Sequence, residues 1–151
     1  MAKQPNTGLK YSIAVGAPTT EDQLGYDALT FDQVKEVTNY PAFGANVAVI
    51  ESNPLETGIT EKYKGFTNFG STSVDMDLDD TDPGQAALIS AAEGANKNTI
   101  HSHKLEYPNG EVRYFQGQVF SAQETPGGQN SMITLSANIE ISSAILRVAA
   151  P

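Results

Sequence analysis

Every second residue from Ile133 to Ile141 is apolar: Ile133, Leu135, Ala137, Ile139 and Ile141 alternate with Thr134, Ser136, Asn138, Glu140 and Ser142. A period of two puts one set on each face of an extended strand, whereas a helix would scatter both sets around its axis. A strand this long, from Met132 to Ser142, must lay its apolar face on a core and its polar face in water, as antiparallel sheets allow. Val74, Met76 and Leu78 alternate with Asp75, Asp77 and Asp79 in the same manner. The chain is therefore expected to be mainly β, an antiparallel β-sandwich or rolled β-barrel.

Other segments fit around these two. Residues 1–10 are polar, carry Pro5 and Gly8, and read as a flexible N-terminal arm. From Tyr11 to Val15 the apolar residues alternate again, and a single β-sandwich domain is expected over 11–151. Leu29–Thr38 also reads as a strand, although its alternation slips partway. Tyr107-Pro108-Asn109-Gly110 suits a type I turn with a glycine bulge between the arms of a hairpin over Thr99–Ser121. The outgoing arm changes faces near Phe115–Gly117, which predicts a bulge there. Pro126-Gly127-Gly128 then turns the chain into the last long strand. One short flanking helix is expected over Pro83–Glu93, with Asp82 as cap, Pro83 in the first turn, Gln85 as capping-box partner and Gly94 as stop. Leu88, Ile89, Ala91 and Ala92 form its apolar side.

Residues 39–58 resist this scheme. Val47, Val49 and Ile50 form a short strand-like island between Pro41 and Gly44 on one side and Pro54 and Gly58 on the other. A long irregular connection in a chain this size is either a misassigned element or a functional loop. Val47, Val49, Ile50 and Leu55 would be poorly covered in a lone subunit, so this loop is expected to seek a partner.

Charge and composition exclude several classes. Eighteen acidic residues against nine basic ones leave a net charge of −9, the opposite of a protein that grips phosphate backbones. The absence of Cys excludes disulfides, thiol catalysis and Cys-ligated metal. No apolar leader core follows Met1, and no apolar run has the length of a membrane span, so no membrane association is expected.

The densest charge lies at Asp75, Asp77, Asp79, Asp80 and Asp82, with no Lys or Arg between Lys64 and Lys97. D-x-D-x-D opens a calcium loop, but here the sixth position is Asp80 rather than Gly and the twelfth is Ala86 rather than Glu. A solvated or lumen-facing acidic surface is the expected reading, ahead of partner salt bridges or a metal site. His101 and His103 share a strand face with Leu105 and Tyr107, which favours packed, hydrogen-bonded histidines over a metal pair. Phe66, Phe69 and Gly70 suit an aromatic corner anchoring a loop better than a ligand platform. No G-x-S-x-G, P-loop, G-x-G-x-x-G or H-E-x-x-H occurs, so neither catalysis nor a cofactor is expected.

The run from Tyr107 to Val119 carries a resemblance. Tyr107, Pro108, Asn109, Gly110, Val112, Phe115, Gly117 and Val119 resemble, position by position, the hairpin of major tail tube proteins of long, non-contractile-tailed bacteriophages of the lambda-like type. The order of elements around it is similar: arm, strands, long loop, alternating strand, the helix with Gly84, Gln85 and Leu88, hairpin, terminal strand. The resemblance implies a structural virion protein, made in the host bacterial cytoplasm, whose hexameric rings stack into a conduit for viral DNA. It implies partners in further copies of itself and in tape-measure, tail-tip and tail-terminator proteins, with DNA passing transiently and without stable binding. On that view Asp75, Asp77 and Asp79 face the lumen or the outer tube surface, and 39–58 ties rings or subunits together. Six subunits lending four strands each would close about 24 strands into a barrel roughly 48 Å across, leaving roughly 38 Å inside side chains for a duplex about 20 Å wide. The alternatives are the tube of a contractile tail, tailocin or related secretion system, and a monomeric β-sandwich binding module.

Overall fold

The computed structural model describes residues 3–95 and 97–150. Among the described residues ten strands and two helices follow one another: β1 (Lys10–Val15), α1 (Gln23–Asp27), β2 (Asp32–Val34), β3 (Val37–Asn39), β4 (Asn46–Ser52), β5 (Glu61–Asn68), β6 (Ser71–Asp77), α2 (Pro83–Glu93), β7 (His101–Glu106), β8 (Val112–Thr125), β9 (Thr134–Ile141) and β10 (Leu146–Val148). The fold is mainly β and antiparallel, as the alternation requires. The main sheet runs β2-β1-β7-β8-β9-β6-β3, with β10 pairing the start of β8.

That order forces the sheet to roll. β2 and β3 lie at opposite ends of the path, yet only Lys35 and Glu36 separate them in sequence. Six strand spacings of about 4.8 Å would hold the ends of a flat sheet roughly 29 Å apart, whereas three residue steps span at most about 11 Å. The strand expected over Leu29–Thr38 is thus two strands, and the slip in its alternation is the corner between them. Glu36 turns that corner with φ +64°, and its carbonyl accepts from the Asp77 amide at 2.9 Å.

α2 packs against β8, β2 and β1 and plugs the roll. Its first turn differs from the capping box expected. The Asp82 side chain makes no cap bond; its Oδ2 accepts from the Lys35 amide at 2.8 Å instead. Gln85 is buried and spans three segments, donating from Nε2 to the carbonyls of Lys35 and Asp77 and accepting at Oε1 from the Asp79 amide. The corner's free backbone groups outcompete the helix's own amides for these side chains, because a buried polar group without a partner is costly.

Inside the roll, Val74, Met76, Leu135, Ala137, Ile139, Phe115, Leu88 and Ile13 are buried in one core. His103 sits among them fully buried, stacked on Phe115 with centroids 5.1 Å apart. Its Nε2 lies 3.1 Å from the Gly117 carbonyl, which only accepts, so Nε2 carries the proton and Nδ1 accepts from the Tyr11 hydroxyl at 2.7 Å. Burial pushes its pKa down to about 3. His101 donates from Nδ1 to the Thr99 carbonyl, and burial lowers its pKa too.

On the other face of β8 sits α1, a second helix that the sequence reading missed. Tyr26 stacks on Tyr114 at 4.8 Å, the Tyr114 hydroxyl donates to Asp27, and the Gln116 side chain donates from Nε2 to Glu21 and to the Tyr26 hydroxyl. β8 is therefore buried on both sides from Arg113 to Gly117. The face change expected at Phe115–Gly117 is this double burial, and the bulge itself falls at Phe120, between Val119 and Ser121. The turn at Tyr107–Gly110 has the expected bond, from the Gly110 amide to the Tyr107 carbonyl at 3.0 Å, with Gly110 at φ +97°.

Candidate functional site

Two surfaces stand out, and both follow from strand register. The first is the outward face of β6, β9 and the distal half of β8. Cross-strand pairing aligns Asp75 with Ser136 and Gln123, Ser73 with Asn138 and Ser121, Ser71 with Glu140 and Gln118, and Asp77 with Thr134 and Thr125. These four rows carry polar side chains only. Neither β6, β9 nor the Gln118–Thr125 half of β8 contains a Lys or Arg. Ser136 donates to Asp75 at 2.8 Å, which fixes one carboxylate within the face.

Of the acidic residues singled out in sequence, the structure brings Asp75 and Asp77 onto this face and separates Asp79 from them. β6 ends at Asp77. Asp79 lies in the turn into α2, where its carboxylate accepts from the hydroxyl and amide of Thr81; these bonds hold its pKa below the usual carboxylate range. Asp82 is buried beneath the corner. Glu140, Gln118 and Gln123 join the face without having been identified. The period-two pattern of β9 already marked Glu140 as outward, but the bulge at Phe120 hid the parity of Gln118 and Gln123.

The second surface is the hairpin of β4 and β5, which pair with each other and with no strand of the main sheet. The segment 39–58, expected to be a short strand plus a long loop, contains β4, which is half of this hairpin; the other half, Glu61–Asn68, was not recognised as a strand. Its alternation is weak because neither face meets the core. Val49, Ile50 and Tyr63 are more than half exposed, Phe66 is 93% exposed and Leu55 fully so; Val47 is half-buried. Ile50 pairs directly with Tyr63, and Val49 with Lys64. The GFTNFG stretch straddles a boundary: Phe69 packs on the core as a corner residue would, whereas Phe66 projects with the hairpin.

An aromatic cluster roots this hairpin. Tyr40 meets Tyr11 at 5.4 Å and Phe43 at 5.7 Å, and Phe43 meets Phe115 at 5.9 Å. The projecting strands thus leave the body from a rigid base. Among the described residues, no cluster of His, Asp and Glu is arranged to hold a metal ion.

Neither a protein-family model nor a curated protein matches this sequence. Solved structures do. The chain is similar to a protein in the tail of an empty GTA (gene transfer agent) particle with C6 symmetry: TM-score 0.68 and 14% identity, over 97% of this chain and 100% of that one. It is similar to a chain of the anti-feeding prophage cap, which terminates that tube, with TM-score 0.63 and 12% identity over 99% and 95% of the two chains. It also resembles the SPP1 tail tube protein, at TM-score 0.63 and 14% identity over 95% and 78%. The rolled sheet with its plug helix is the fold found in these tail and tube structures.

Proposed function

We propose that this chain is a structural, non-catalytic subunit of a viral tail tube, forming stacked hexameric rings through which DNA passes. The observation that carries the reading is the polar, base-free face of β6, β9 and β8 on a fold shared along nearly its whole length with a chain of a C6-symmetric tail. β3, β6, β9 and distal β8 supply four strands per subunit, as the barrel arithmetic requires. Their edges are open: β7 pairs with β8 only as far as Gly117, and the Ser71–Val74 part of β6 pairs with β9 alone. Open edges recruit neighbouring strands, and six such joins close a barrel. The lambda-like assignment belongs to this proposal, as do a virion location, a single domain with an N-terminal arm at 1–10, and tape-measure, tail-tip and terminator partners. Electron microscopy of the purified protein tests it. Six-fold rings or tubes are expected; a monodisperse monomer at high concentration would leave the binding-module reading in its place.

A contractile-system tube is the second reading, because the similar structures include chains of contractile injection systems. Co-purification with a sheath protein selects it.

In either machine the acidic face would keep DNA from sticking. A basic wall would release counterions at each phosphate contact and hold the duplex, whereas carboxylates repel it. Assembled wild-type tubes are expected not to retain DNA at low salt, while Asp75→Lys/Asp77→Lys tubes retain it in a salt-dependent manner. Equal retention by both would remove Asp75 and Asp77 from the lumen.

A further inference from the structure

The two faces of the β4–β5 hairpin differ in charge. Ile50, Tyr63 and Glu61 share one face, while Val49, Glu51, Lys62 and Lys64 share the other. The Tyr63 hydroxyl donates to Glu61 at 2.9 Å, so the first face ends in a positioned carboxylate beside two exposed apolar side chains.

A groove on the body has matching chemistry. One end is a largely apolar pocket of about 220 Å³ lined by Leu9, Tyr40, Phe43, Leu105, Tyr107 and Pro108, together with Gln4 and Asn6. Tyr40, Phe43 and Tyr107 continue into a second part of about 340 Å³ that ends at Arg113 and Arg147. These two, the only arginines in the chain, are direct cross-strand partners. Like charges in that position repel. Arg113 is held by Glu111 at 2.9 Å and lies over the Tyr107 ring, while Arg147 is exposed and has no ion-pair partner among the described residues.

We propose that this groove receives the Ile50/Tyr63 face of the hairpin from a second copy of the chain, with Glu61 of that copy seated on Arg147. The inference rests on the reading that copies associate, and it names the surface that each hairpin grips. Electrostatics select the face: the opposite one would bring Lys62 and Lys64 to the arginine pair.

The absence of Cys makes engineered thiols an unambiguous probe. Ile50→Cys protein is mixed with size-tagged Pro108→Cys protein, oxidised mildly and run without reductant. Val49→Cys, one residue away on the other face, is the control. Tagged–untagged cross-links are expected at least about five-fold more often from position 50 than from position 49. Equal yields overturn the proposal. Where Pro108→Cys does not fold, Pro5→Cys on the same rim takes its place. Adding Arg147→Glu to the tagged partner should cut the yield, and adding Glu61→Arg to the other should restore it; an unchanged yield with Arg147→Glu overturns the seating of Glu61. Microscopy of the same samples separates the two ideas. Rings without the cross-link sink the groove and leave the tube, while the cross-link without rings sinks the tube and leaves the groove.

Discussion

Gly84→Ala is expected to destabilise the protein by about 2 kcal/mol, although in an exposed helix interior the same change stabilises by about 1 kcal/mol. The sign reverses because the first turn of α2 lies directly on β2. A Cβ at position 84 would overlap the Gln33 carbonyl oxygen and stand 2.7 Å from Val34 Cα, both backbone atoms. The helix would have to lift away, and lifting it pulls Gln85 from the carbonyls of Lys35 and Asp77 and from the Asp79 amide. For a chain of this length the loss corresponds to a fall in Tm of about 4–8 °C. A thermal melt that rises instead would show that α2 does not sit on the corner.

Acid should destabilise the fold well before its carboxylates titrate. In the unfolded chain His103 takes up a proton near pH 6.5; in the fold, burial keeps it neutral down to about pH 3, with His101 nearby adding to the effect and the Gly117 carbonyl opposing it. Stability is therefore whole above pH 6.5 and declines as pH falls toward 3, because the unfolded state binds the extra proton. The slope is about 1.4 kcal/mol per pH unit, or about 2 kcal/mol between pH 6.5 and 5. His101, also lowered, adds to it. Asp22, Asp79 and Glu111 are held down by hydrogen bonds, so their contributions are lost only at lower pH, and the window above 5 isolates the histidines. Denaturant midpoints at pH 7 and 5 should show the loss in the wild type and a smaller one in His103→Gln. Identical slopes in both would place the acid sensitivity elsewhere.

Much of the molecule was legible where one face of a segment meets the core and the other meets water. β9, β6 and the turn at Tyr107–Gly110 follow from alternation and turn chemistry alone, and so does the outward direction of Asp75, Asp77 and Glu140. The reading failed where that asymmetry is missing. Gly25, Tyr26 and Arg113–Gly117 are buried by tertiary contacts that no local period records. Glu61–Asn68 is exposed on both faces, so nothing selects an alternating pattern. Asp82 and Gln85 have the residue types of a capping box, but both are drawn to the backbone of Lys35, in a corner about 50 residues away in sequence.

The sequence by itself determined a mainly β chain with an acidic, base-free strand face, because side-chain period and charge are local properties. Only the tertiary structure decided that the sheet rolls through a two-residue corner, that Asp79 leaves the acidic face and that β4 and β5 project. Those outcomes depend on which strands become neighbours, and strand neighbours are set by hydrogen bonds and packing between segments far apart in the chain.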